Sequence, residues 1–324
     1  MLTAKEIVVL IEERIRQLRL PSSPSALYEP AKYMLNAGGK RIRPALSLMA
    51  SNLFTDQIEN CIEPALAMEV FHNFSLVHDD IMDNAPMRRG MPSIHEKWSL
   101  PVAILSGDFL LIKAYELLCT INKEKLKDAI EIFNQTAIKV CEGQQMDMDF
   151  ENRKDVLLEE YIVMITNKTS VLLGCSLFCG ALAGGSTEHD AQILYDAGIS
   201  LGICFQIQDD LLDVYADQAK FGKTTGGDII QNKKTYLMLR TLQLADEMDR
   251  DTLNSLFSEK NMDATKKIDE VIQLYNKYNV RSEAEKEINN YYRHAVMLIN
   301  KVGVPEERKT EIYKLAENVF RRDF

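Results

Sequence analysis

The chain is 324 residues long and 46% hydrophobic, with 38 basic against 48 acidic side chains and a formal charge of -10. That much apolar material supports a sizeable core in one large domain or two ordinary ones. The acidic balance disfavours nucleic acid or an anionic membrane surface as the main partner, although an acidic protein binds anions when metals intervene.

The amino terminus, MLTAKEIVVLIEERIRQLRL, interrupts its apolar pattern with charges every few residues. It predicts an amphipathic helix and lacks the continuous apolar stretch of a signal peptide. Helical spacing of apolar residues then recurs almost throughout, and alternating strand-like runs bounded by turn residues are hard to find, so the fold is expected to be all-α. Breaks are predicted at Pro21 to Pro24, around Gly38-Gly39, from Asn84 to Pro92, at Gly184-Gly185 and from Asp217 to Gly227. No break resembles a long flexible linker, and no repeat of solenoid period is present.

Gly38-Gly39-Lys40-Arg41-Ile42-Arg43-Pro44 is a glycine turn leading into a helix, where backbone N–H groups and cationic side chains can hold a diphosphate. The helix after Pro64 carries an apolar stripe of Leu66, Val70, Phe74, Val77 and Ile81. At about 100° per residue, His72, Asp79 and Asp83 fall within about 40° of one another on the opposite face. Glu69 and His72 form a Glu-x-x-His pattern, but a di-iron site needs a second copy and two more glutamates, and no second copy exists. No nucleophile elbow or comparable hydrolase motif is present either.

Asp79-Asp80-Ile81-Met82-Asp83 places like charges four residues apart, an arrangement that disfavours a bare helix by about 0.2 to 0.5 kcal/mol. Something positive should occupy that face. Hard oxygen donors suit magnesium, which keeps several waters and takes one or two carboxylates plus substrate phosphate oxygens. A second copy, Asp209-Asp210-Leu211-Leu212-Asp213, follows the apolar segment GISLGICFQIQ, an approach that a water-exposed charge run does not need. Basic residues accompany each copy: Arg88-Arg89 follows the first, and Lys223 and Lys233 follow the second in a loop rich in Gly and Thr.

Six cysteines, at 61, 119, 141, 175, 179 and 204, form no Cys-x-x-Cys pair, and buried thiols in a reducing cytoplasm are expected. Thr169 to Thr187, the longest uncharged stretch, carries Ser, Thr and several Gly, so a buried core helix is expected in preference to a membrane span.

The ordered landmarks GGKRIRP, LVHDDIMDNAPMRRG, LSGDFL, EGQQMD, TNKTS, FQIQDDLLD and GKTTGGDIIQNKKT span about residues 38 to 235. This set resembles the trans-prenyl diphosphate synthase (polyprenyl synthetase) family. The resemblance implies the isoprenoid synthase fold, a single-domain bundle of about ten core helices around a deep central cavity, in a cytoplasmic homodimer without stable membrane insertion. It implies magnesium, three ions per active site with substrate bound, and two substrates, isopentenyl diphosphate and an allylic prenyl diphosphate.

Carried over by position, Asp79, Asp83 and Asp209 are implied as the principal metal ligands, supported by Asp80, Asp210 and Asp213. Arg88, Lys168, Lys223 and Lys233 are implied for the allylic diphosphate, and Lys40, Arg43, His72 and Arg89 for isopentenyl diphosphate. Lys168, Thr169 and Gln206 are implied beside the reacting carbon, with Gln144 and Asp147 lining the same region and Arg322 closing over the second substrate. Phe74 and Ser75, fifth and fourth before Asp79, are implied as determinants of chain length. The pair resembles short-chain enzymes, the twenty-carbon geranylgeranyl type first and the farnesyl type next.

The residue types fit that chemistry. Metal, Arg and Lys stabilise departing diphosphate, an allylic cation forms, the double bond of isopentenyl diphosphate attacks, and the departed diphosphate serves as base. A class I terpene cyclase is the nearest rival, but its second motif is of Asn-Ser-Glu type. A noncatalytic subunit of a heteromeric synthase is disfavoured because all six motif aspartates are intact.

Overall fold

The structure, a computed structural model, describes residues 2–216, 226–258 and 262–320. Its helices run in chain order α1 (Ala4–Gln17), α2 (Ser25–Leu35), α3 (Ile42–Phe54), α4 (Ile62–Met82), α5 (Ile94–Lys97), α6 (Leu100–Leu118), α7 (Lys123–Asn152), α8 (Leu158–Ile165), α9 (Val171–Ala183), α10 (Glu188–Tyr215), α11 (Gly227–Ile230), α12 (Tyr236–Leu244), α13 (Glu247–Leu256), α14 (Ala264–Lys277), α15 (Val280–Lys301) and α16 (Glu306–Phe320). The all-α expectation holds, with one addition: β1 (Met87–Arg88) and β2 (Met91–Pro92) pair antiparallel in a small hairpin. Helix ends fall at the breaks read from the sequence wherever those residues are described.

Backbone contacts divide the chain into two compact units, each built from several segments: residues 1–136, 172–198 and 298–314, and residues 137–171, 199–297 and 315–324. In the first unit, α1 opens on a capping box between Thr3 and Glu6 and buries Ile7, Ile11 and Ile15, one residue per turn. Helix α4 packs on α3 and most extensively on α6. The close approach of α6 depends on Gly107, because a Cβ there would lie 2.3 Å from His78 Nε2. His78, immediately before the first acidic motif, is thereby set against α6, with Nε2 3.3 Å from the Ile104 carbonyl.

The second unit contains an interruption in the helical ladder. Residues Thr166–Ser170 form a π-helical turn between α8 and α9, and the Val171 N–H reaches back five residues to the Thr166 carbonyl. The span Leu158–Ala183 is long and apolar enough to cross a membrane, yet 67% of its most apolar window is buried inside the protein, as a core helix requires. The cysteine expectation needs correction: Cys61, Cys175, Cys179 and Cys204 are buried free thiols, whereas Cys119 and Cys141 are exposed. Helical context did not distinguish them, because it fixes which face of a helix a residue occupies but not whether that face is covered.

Candidate active site

In the first unit, α4 ends at Met82 with Asp83 as its C-cap. Helical phase separates the three acids: Asp80 turns inward and is 2% exposed, while Asp83 is exposed and Asp79 lies between these extremes. The chain then reverses through the hairpin, whose central residues Arg89 and Gly90 have φ of 52° and 75°, the signs that a type I′ turn demands. Arg88 consequently faces the acids. Its Nε donates to Asp80 Oδ1 at 2.7 Å and its Nη2 to Asp79 Oδ2 at 3.1 Å. Burial raises the Asp80 carboxyl, and the Arg88 guanidinium opposes that rise.

Arg89 goes elsewhere, its Nη1 donating to the Gly38 carbonyl. The left-handed turn at Arg89 separates the two adjacent arginines. Gly39, at φ 139°, makes room for it, since a Cβ there would stand 3.0 Å from the Arg89 guanidinium carbon. Lys40 is exposed beside this turn.

Arg41, the N-cap of α3, has a left-handed backbone and a fully buried side chain. It donates to Glu12 Oε1 at 2.7 Å, Glu69 Oε1 at 2.5 Å and the Leu35 carbonyl at 2.8 Å. The glutamate of the Glu-x-x-His pattern therefore anchors a loop. That leaves Arg43 as the second cation of the segment. Burial pushes it down to about 10, and its Nε is buried without a hydrogen-bond partner. Burial first, and then the charges of Arg43, Arg89, Arg88 and Arg41, hold His72 well below its ordinary range, so the ring is neutral near pH 7. Four arginines lie within electrostatic reach of this neutral histidine, and Arg43, Arg88 and Arg89, which are not tied to Glu12 and Glu69 as Arg41 is, form a ready site for an anion.

In the second unit, α10 repeats the phase relation of α4. Asp209 is exposed, Asp213 half-buried and Asp210 4% exposed. Asp210 Oδ2 accepts the Tyr161 hydroxyl at 2.5 Å and the Tyr236 N–H at 2.9 Å, while Gln206 Nε2 approaches Oδ1 at 3.4 Å. Burial pushes Asp210 up to about 7, the Asp228 charge adds to the rise, and these donors oppose it. With both oxygens engaged, Asp210 supports the motif from within; the outward acids are Asp209 and Asp213.

Two polar pairs surround the π-turn. Lys168 Nζ donates to Asp147 Oδ2 at 2.6 Å, and Thr169 Oγ1 donates to Gln206 Oε1 at 3.2 Å. Gln144, one turn before Asp147, has its Nε2 buried without a hydrogen-bond partner. The unit thus brings together Gln144, Asp147, Lys168, Thr169, Gln206 and the three acids of the second motif. Lys223 and Arg322 lie outside the described residues.

Sequence reasoning missed Asp228. Its N–H donates to Asp213 Oδ2 at 3.0 Å, its Oδ1 is 3.8 Å from Lys233 Nζ, and burial followed by the Asp213 charge pushes its carboxyl up to about 6. The available signal was an acid between Gly227 and two isoleucines, five residues before the Lys233 already singled out. Tyr161 was missed as well, and an aromatic residue on an apolar helix carries no such signal.

On α4, Phe74 is half-buried, its ring 5.3 Å from that of Phe71 and 4.9 Å from that of His78. Ser75 turns its hydroxyl to the His72 carbonyl at 2.9 Å.

Comparison with known proteins gives the same answer as this geometry. The sequence profile of the Polyprenyl synthetase family matches residues 24–275. The geranylgeranyl diphosphate synthase of Sulfolobus acidocaldarius is 37% identical over 324 residues, covering 98% of this chain and 97% of its own. A geranylfarnesyl diphosphate synthase of Natronomonas pharaonis is 36% identical, covering 71% of this chain and 73% of its own. A crystal structure of a geranylgeranyl pyrophosphate synthase superposes with a TM-score of 0.95 at 37% identity over the whole of both chains. The fold is that of the isoprenoid synthases, and the chain belongs to the polyprenyl synthetase family: it is a prenyl diphosphate synthase, a transferase of prenyl groups.

Proposed function

We propose that the chain is a short-chain synthase that condenses an allylic diphosphate with isopentenyl diphosphate to the twenty-carbon all-trans geranylgeranyl diphosphate. The observation that carries this reading is the repeated arrangement of the acids: each motif buries its middle aspartate and leaves the first and third more accessible, with Arg88 bonded to the first motif and Lys233 beside Asp228, whose N–H donates to the second. Phe74 beside Ser75 and the geranylgeranyl-type relatives support the product length.

Magnesium is the family's usual metal, and the residues fit it. Asp79, Asp83, Asp209 and Asp213 supply hard carboxylate oxygens from outward helix faces, and among the described residues no three such groups close a site by themselves. That suits an ion which takes much of its coordination from water and diphosphate. Asp79, Asp83 and Asp209 would be the principal ligands, for three ions with substrate bound, and the metal when bound neutralises charge on the leaving diphosphate.

The protein's own groups do the rest. Arg88, Lys168 and Lys233 hold the allylic diphosphate, each already near a carboxylate whose place an anion can take. Lys40, Arg43, Arg89 and the neutral His72 hold isopentenyl diphosphate, the imidazole contributing an N–H donor without a competing charge. The oxygens of Thr169 and Gln206 stabilise positive charge on the ionised allyl group. The chain acts as one synthase domain and as a cytoplasmic homodimer. Support for a pairing surface comes from α6, where Leu100, Ile104, Leu105 and Ile112 are all exposed, Ile112 to 67%.

Incubation of the purified protein with magnesium, labelled isopentenyl diphosphate and each allylic starter, followed by chromatography, tests the reading. A twenty-carbon diphosphate as the main product is expected. A cyclic hydrocarbon, or no incorporation of isopentenyl units, would overturn it.

A further inference from the structure

The π-turn that carries Lys168 and Thr169 is held on two sides in the same way. On α7, a Cβ at Gly143 would lie 2.2 Å from the Lys168 nitrogen and 2.7 Å from its Cα, so helix backbone presses directly on the turn. Four residues on, Asp147 takes the Lys168 ammonium. On α10, a Cβ at Gly202 would lie 2.5 Å from Ser170 Cα and 2.6 Å from its Oγ. Four residues on, Gln206 takes the Thr169 hydroxyl. Residues four apart on a helix share a face, so each helix offers one notch and one grip to the same short segment.

An interior π-turn inserts one residue into an α-helix and is poorer in energy than the α form, so it persists only where its surroundings impose it. Two hydroxyls help from within: Thr166 Oγ1 donates to the Ile162 carbonyl at 2.6 Å, and Ser170 Oγ to the Ile165 carbonyl at 3.3 Å. The notches do what hydroxyls cannot. They fix how closely the turn approaches α7 and α10, and hence which way the two side chains between them point.

We infer that Gly143 with Asp147, and Gly202 with Gln206, are positioning pairs: the glycine notches set the π-turn in register so that Lys168 is aimed at the allylic diphosphate and Thr169 at the ionising carbon. This deepens the proposed function and rests on its assignment of Lys168 and Thr169. The pairs have separable effects. Displacing Lys168 weakens capture of the allylic substrate, whereas displacing Thr169 leaves the cation less well held and lets water compete with isopentenyl diphosphate.

The test compares Gly143→Ala, Gly202→Ala and Gly180→Ala in the full-length enzyme with magnesium. Gly180 is a control for tight packing alone, since a Cβ there would meet the Ser47 carbonyl oxygen at 2.0 Å, away from the π-turn residues. Gly143→Ala should raise the allylic KM about tenfold and leave the isopentenyl KM within about twofold. Gly202→Ala should raise the ratio of allylic hydrolysis to condensation about fivefold or more. Gly180→Ala should lower Tm and change neither ratio. Folded Gly143→Ala and Gly202→Ala proteins with wild-type ratios would overturn the inference, as would a Gly180→Ala protein with the same shifts. Should the first two variants fail to fold, Asp147→Asn keeps the notch and loosens the grip; it must raise the allylic KM about threefold or more, and a wild-type value rejects the pairing. Lys168→Ala separates this inference from its premise: an unchanged allylic KM there removes the site assignment, whereas a raised KM with unaffected glycine variants removes only the notches.

Discussion

Tyr161 donates its hydroxyl to Asp210 Oδ2 at 2.5 Å, and this contact defines the inward side of the second acidic motif. Asp80 has the same orientation in the first motif, with Arg88 as its donor. Outward and inward acids should therefore fail differently. Asp79→Ala and Asp209→Ala are expected to abolish most turnover while the helical fold survives, because they remove the proposed metal ligands and relieve like-charge repulsion. Asp210→Ala leaves the Tyr161 hydroxyl and the Tyr236 N–H buried without their acceptor, at a cost of about 1 to 3 kcal/mol each. Rates and thermal melts of the variants check this. Rates within about threefold of wild type for Asp79→Ala and Asp209→Ala, with magnesium saturating, would sink the metal assignment.

Arg88 and Arg89 are adjacent in sequence and divided by the hairpin turn, one bonded to Asp79 and Asp80, the other to Gly38. Arg88→Ala is expected to raise the KM of the allylic substrate and Arg89→Ala that of isopentenyl diphosphate, each by about tenfold. Steady-state kinetics with one substrate varied at a time separates them. If both substitutions weaken the same substrate equally, the division of labour is wrong.

The pH dependence of stability provides a check on His72. Its folded pKa is depressed well below the ordinary value by burial and by Arg43, Arg89, Arg88 and Arg41. Below about pH 6.5 the unfolded chain binds a proton at this ring that the folded chain does not, so stability falls as pH falls from there and is flat in this respect above it. Denaturation curves between about pH 5 and 8 should show a shallower acid slope for His72→Asn than for wild type. Superimposable slopes would mean that the folded ring protonates normally.

Much of this site was legible because helical periodicity is a strong constraint. Asp79 and Asp83, like Asp209 and Asp213, are four apart, which puts each pair on one face whatever the tertiary structure. Which face is inward is a tertiary matter, and the burial of Asp80 and Asp210 needed the donors Arg88 and Tyr161 to be seen. The π-turn was not legible, because one inserted residue leaves TNKTS looking like any polar helical segment. Asp228 was hidden for another reason: its partner Asp213 is 15 residues away in the chain, a separation at which sequence pattern does not specify contact. The hairpin at Met87–Pro92 is too short for an alternation pattern, although Arg89-Gly90 marks its turn.

The proposed product length rests on the proposed role of Phe74. Its ring is half-buried and lies edge-on to His78 at 4.9 Å and tilted against Phe71 at 5.3 Å, whereas Phe71 is 0% exposed. The apolar stripe assigned to this helix is therefore not uniform: Leu66, Val70 and Val77 are buried, and the ring at 74 keeps an open side. A half-open aromatic one turn before the acidic motif can block a growing chain; a fully packed one cannot. Phe74→Ser should thus admit further isoprene units and shift the products beyond twenty carbons while the condensation rate survives. Phe71→Ser serves as the contrast, since truncating a fully buried Phe costs about 3 to 5 kcal/mol and opens a cavity within the core. That variant should melt well below wild type with its product length unchanged. Product chromatography and melting curves on the two proteins decide the matter. A destabilised Phe74→Ser enzyme that still stops at the wild-type length would assign the ring to packing and leave the floor of the chain site to other residues.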